Sequence, residues 1–182
     1  MLSCRARFLA GPVGSRQTEF QTTDTDPEHP MPSSMQALVL AHLVATLGMT
    51  AVIWFVQVVH YPLFLRVGPE AFHLYEISHQ QRISFIVIPL MLTELATAMA
   101  LAWWGIEGIP KSWLVAGLVL VGIVWASTFL IQVPLHNRLG SGFNHEVIQL
   151  LVNTNWIRTI GWSLRAILVV LIAARLMGPG GQ

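Results

Sequence analysis

Charge is what this sequence has least of: Asp, Glu, Lys and Arg make up 10% of its 182 residues, where a soluble domain carries about 25%. So few charged groups cannot cover a water-facing surface, which excludes an ordinary soluble globular domain. The formal net charge of +1 offers no field to a polyanion and no basic cluster interrupts the chain, so no nucleic acid is expected as a partner. Cysteine is nearly absent. Cys4 stands alone, which excludes an intrachain disulfide and the two-cysteine attachment of covalently held haem.

Apolar residues, by contrast, account for 54% of the chain. Ala37 to Val59 and Trp113 to Leu135 contain no charged residue, Ile83 to Ile106 is broken only by Glu94, and Thr159 to Ala174 only by Arg165. About 20 such residues cross a bilayer as a helix. The expected fold is all-α: an integral membrane four-helix bundle over residues 36–177, with spans near 36–59, 83–105, 113–134 and 157–177. The lipid bilayer is its first partner, the cell membrane if the source is bacterial, and oligomerisation is compatible with such a bundle.

Residues 1–35 hold Pro12, Pro27, Pro30, Pro32 and an acidic patch at Asp24, Asp26 and Glu28, with no helical or alternating period. They read as a disordered tail, or as sequence ahead of a start at Met31 or Met35. Gly178-Pro179-Gly180-Gly181 predicts a second disordered tail over 178–182.

The first span gathers His42, Thr46, Thr50, Gln57 and His60 within one helical face. Proline disfavours helix in the residue before it, so Tyr61-Pro62 is expected to end this helix. Gly68-Pro69 then opens a short amphipathic segment, residues 70–82, expected to lie in the interface. The second span carries a kink at Pro89 and reaches Glu94 about 18 Å below Arg82, at roughly 1.5 Å per residue, close to the midplane. In the third span Trp125, Thr128, Gln132 and His136 share a face, with Pro134 interrupting the helix. Asn144 can cap a second short helix running towards Trp156, and the last span aligns Asn155, Arg158, Trp162 and Arg165.

The two halves repeat this plan. A shift of 76 residues places His60 on His136, Glu70 on Glu146 and Arg82 on Arg158. Depth then puts His60, Arg82, His136 and Arg158 at one membrane face, with Glu94 and Arg165 descending from it and His73, His79 and Asn137 above it. Positive-inside counting sets Arg66, Arg82, Arg138 and Arg158 at that face against Lys111 and Arg175 opposite, which makes the busy end cytoplasmic when taken literally.

Three chemistries compete for the busy end. Glu76-x-x-His79 has the i, i+3 spacing of ferritin-like di-iron sites, but the second half supplies no matching pair. A haem b or a single transition metal is the second candidate, with His60 and His136 as cofactor ligands and His79 nearby as a further metal ligand. The third uses no metal: Arg158, Arg165 and Arg82 bind an anionic or quinone-like molecule while Glu94 or a histidine moves protons. Glu94 and Arg165 also have a purely structural reading as an ion pair between helices.

Pro134-Leu135-His136-Asn137-Arg138-Leu139, followed by Asn155-Trp156-Ile157-Arg158, resembles the proline-asparagine-leucine and tryptophan-arginine signatures of the anthrone-oxygenase-like family of small four-span membrane proteins. The likeness lies mainly in the second half and matches Asn137, Trp156 and Arg158. It implies a four-helix membrane fold and, in some members, oxygenation of polycyclic phenolic substrates. The resulting expectation is a metal- or haem-dependent oxidoreductase or oxygenase with a lipid-soluble substrate. Glu94, Arg158, Arg165 and Asn137 would be its catalytic residues, and the substrate an apolar, ring-containing small molecule. A non-enzymatic bundle, acting as a small-molecule carrier or assembly partner, is the alternative.

Overall fold

The computed structural model describes residues 31–178. Among them every regular element is helical: α1 (Ser33–Phe55), a π-helix (Val56–His60), α2 (Tyr61–Leu63), a 3-10 turn (Phe64–Arg66), α3 (Pro69–Trp104), α4 (Lys111–Ser127), a second π-helix (Thr128–Gln132), α5 (Val133–Leu139) and α6 (His145–Met177). These join into four rods, Ser33–Arg66, Pro69–Trp104, Lys111–Leu139 and His145–Met177, each long and apolar enough to cross a membrane. The protein is an all-α four-helix bundle of multi-pass membrane type.

α1 packs against α3 and α6, and α4 packs against the same two, so α1 and α4 stand diagonally opposite. Apolar burial does not drive helices together in lipid, and small residues and polar contacts take over that task. His42 meets Thr97 at 2.7 Å, Thr50 donates to the Trp162 carbonyl at 3.2 Å, and Asn155 donates to Gln57 at 2.8 Å. Leu40, Phe85, Trp103 and Leu130 are among many apolar side chains left exposed on the outer surface, where a lipid-facing belt is required. Gly105 and Gly108, both at positive φ, make the tight connection from α3 to α4.

Several expectations need correction. Pro62 and Pro134 do not end their helices: each follows a five-residue π-helix, and the rod continues. The Tyr61 N–H bonds the Val56 carbonyl and the Val133 N–H bonds that of Thr128. This wider i to i+5 turn restarts the hydrogen-bond frame and makes each proline a first-turn residue, where a missing N–H costs nothing. Residues 70–82 and 145–156 are not separate interfacial helices either, because they continue into their spans as α3 and α6. The polar-to-apolar change near Arg82 marks where the rod enters the bilayer. At about 1.5 Å per residue, the 36 residues of α3 reach roughly 54 Å, well beyond a hydrocarbon core about 30 Å thick. α3 also runs through Pro89 without a break, with that residue exposed on its outer side. The tail expectations fall mostly on residues 1–30 and 179–182, outside the described residues, and α1 already begins at Ser33.

The repeat is real in plan but not at one spacing. Pro62 and Pro134 lie 72 positions apart, whereas α3 and α6 begin 76 apart. Arg82 and Arg158 therefore correspond. His60 does not correspond to His136: it closes the first π-helix, as Gln132 closes the second.

Candidate functional site

The overhanging end of the bundle carries the unusual chemistry. On α3, Phe72, Glu76 and His79 recur at steps of four and three and share the inward face, and all three are buried. Glu76 is fully enclosed, and such a carboxylate is retained only where it is paired. His136 of α5 provides the partner, with its Nδ1 2.6 Å from Glu76 Oε1. With that nitrogen donating to the carboxylate, Nε2 of the same ring accepts from the Tyr61 hydroxyl at 2.9 Å. Gln80 fixes the arrangement by donating to Glu76 Oε1 at 3.0 Å and to the His136 carbonyl at 3.1 Å. A carboxylate, an imidazole and a phenol are thus joined in one line across three elements.

Tyr61 and His136 both face a cavity of about 420 Å³ between α3 and the α4–α5 rod. Its upper wall is polar, with Gln80, Gln132, Asn137 and Arg158, and its lower wall is apolar, with Val87, Met91 and Leu92 among others. Arg158 is buried beside the Tyr61 hydroxyl and packs over the Trp162 ring at 5.4 Å. Its Nε has no hydrogen-bond partner among the described residues. Ile88, Leu92 and Phe129 line the cavity and are also exposed on the outside of the bundle. The cavity therefore opens sideways, towards lipid.

The predicted site residues divide into three groups. His79, His136, Asn137 and Arg158 come together around the cavity. His60 lies on the other side of His79, with its Nε2 2.8 Å from His79 Nδ1, and faces an outer groove. Glu94 and Arg165 line neither space and meet each other deeper in the bundle, Nε to Oε1, at 2.6 Å. Trp162 donates to the other Glu94 oxygen at 2.8 Å, and Arg165 reaches the Gly117 carbonyl and His42 Nε2. Every charge in this knot is answered, as expected of a structural clasp.

His60 and His136 flank His79, whose ring lies 4.5 Å from the first and 5.4 Å from the second; His60 spends Nε2 on His79, and His136 spends one nitrogen on Glu76 and the other on Tyr61. Among the described residues no group of three or more His, Cys, Asp or Glu side chains is placed to hold a metal ion. Trp156, matched through the family resemblance, sits on the outer surface edge-on to Trp54 at 5.8 Å. Sequence reasoning passed over Gln80, weighed Glu76 only as half of a di-iron pair, and noted Tyr61 only at a helix end and among the aromatic residues of that face. For Glu76 a signal existed, since it shares a helical face with Phe72 and His79. No family model matches the chain, and no curated protein or solved structure matches it.

Proposed function

We propose that this chain is a membrane-embedded enzyme that admits a lipid-soluble, ring-containing molecule bearing an acidic hydroxyl and removes its proton inside the bundle. The observation that carries this reading is the hydrogen-bonded line Glu76–His136–Tyr61, which ends at the cavity wall beside Arg158. A general base works when it is held within hydrogen-bond reach of the proton it takes and is itself oriented by a third group. Here the ligand hydroxyl gives its proton to the Tyr61 oxygen as Tyr61 passes its own to His136 Nε2. Glu76 stabilises the resulting imidazolium, and Arg158 holds the ligand oxyanion. The apolar lower wall takes the ring, and the sideways opening supplies the substrate from lipid. A phenolate is the electron-rich form from which oxidation of such a ring starts, which accords with the resemblance at Asn137 and Arg158.

The carrier reading draws on the same sideways opening, and one experiment separates the two. Purified protein is titrated with 2-naphthol at a pH where the free probe is neutral, and the absorption band of the bound probe is recorded. Wild type should bind it saturably and show the naphtholate band. Tyr61→Phe and His136→Gln should bind it in the neutral form, and Arg158→Gln should bind at least about tenfold more weakly, the effect of losing a hydrogen bond to a charged group. A bound but neutral probe in the wild type leaves a carrier. No saturable binding removes both readings.

A further inference from the structure

A second space lies behind His79. It is a groove of about 380 Å³ on the outside of the bundle, between Phe55, Val56 and His60 of the first rod and the Tyr75-to-Ile86 stretch of α3. Tyr75, Ser78 and Arg82 recur at steps of three and four and so form one stripe along α3, which Ile83 and Ile86 continue towards the membrane interior. The His60 ring stands 6.4 Å from that of Tyr75 and 6.1 Å from that of Phe55, which closes the upper end. The groove is therefore polar above and apolar below.

Its charge is one-sided. Arg82 is exposed, no acidic side chain lines the groove, and neither ion pair among the described residues includes Arg82. Among the described residues, His60 hydrogen-bonds through Nε2 alone. Arg82 also immediately precedes the apolar run that begins at Ile83, which sets its guanidinium level with lipid headgroups. An unpaired cation with hydroxyls beside it, standing over an apolar trough at the bilayer edge, complements a phosphate above an acyl chain.

We propose that this groove binds one anionic phospholipid of the surrounding leaflet, with its phosphate on Arg82, Ser78 and Tyr75 and an acyl chain along Phe55, Ile83 and Ile86. The site is separate from the relay and does not depend on the proton-transfer reading.

Native mass spectrometry and thermal unfolding test it on protein reconstituted in phosphatidylcholine with and without phosphatidylglycerol. The wild type should retain one phosphatidylglycerol in preference to phosphatidylcholine and unfold several degrees higher in its presence. Arg82→Gln should abolish both effects. Ser78→Phe, which fills the groove and leaves the charge in place, should abolish them too. Arg66→Gln and Arg138→Gln, which remove exposed arginines at the same end, should leave both effects unchanged. The proposal is overturned if the two lipids are retained equally, or if all three arginine variants lose the preference alike, which would indicate diffuse attraction. It is also overturned if inorganic phosphate alone gives the same stabilisation, which would indicate a free-anion site.

Discussion

A charged side chain inside a membrane bundle has to be explained at the level of its own atoms. Glu94 and Arg165 are 0% and 1% exposed and bonded at 2.6 Å, so each would be an unanswered buried charge without the other. Removing one partner of such a pair costs roughly 3 to 5 kcal/mol, most of it the penalty on the charge left behind. Glu94→Gln and Arg165→Gln should therefore each lower stability in detergent by about that amount, while the double variant should lose clearly less than the sum. Chemical denaturation of the four proteins measures the coupling, and additive losses would show that the clasp carries no energy. This pair was legible in the sequence because each charge breaks an otherwise apolar run. Glu76 was legible only in part, because the face it shares with Phe72 and His79 points it inward, but its partner His136 stands on another rod and no local pattern names it.

Partnerships between helices depend on rotational phase, and phase is where element-level reading failed. Each π-helix inserts about one extra residue, which turns everything beyond it by roughly 100° relative to an unbroken α-helix. Prolines 62 and 134 signalled a disturbance, but the sequence reads equally as a helix end or a widened turn. The facing helix decides between them, since it keeps the rod in place. Caps and close approaches are local and so more readable: Asn144, expected to cap, does accept from the Val147 N–H at 3.0 Å. A glycine on α6 marks a close crossing, where a methyl group added to Gly161 would come within 2.5 Å of Val124 Cγ1 on α4. Gly161→Ala should destabilise the bundle by about 1 to 3 kcal/mol, as overpacking does. Adding Val124→Ala should recover part of the loss. Thermal unfolding of the single and double variants tests this, and an unchanged midpoint for Gly161→Ala would mean that the rods separate freely at this level.

At the scale of the whole molecule, four apolar runs were enough to specify the bundle, and the depth of each polar residue along its run was enough to locate the busy end. Orientation is a different matter. Arg158 is buried in the site, which leaves Arg66, Arg82 and Arg138 exposed at the busy end against Lys111 and Arg175 at the other. A margin of one cation is too small to set topology through the positive-inside effect, whereas the structure does constrain which ends share a side. The relay supplies that constraint. Tyr61 at the end of the first rod, Glu76 near the start of α3 and His136 near the end of the third rod are hydrogen-bonded to one another. They can meet only if successive rods run in opposite directions. Reporter fusions after residues 35, 108 and 182 should therefore agree with one another and oppose fusions at residues 69 and 141. If the fusion at 69 instead opposed the one at 141, Tyr61 and Glu76 would lie across the membrane from His136, and the site built on their hydrogen bonds would fall with the topology.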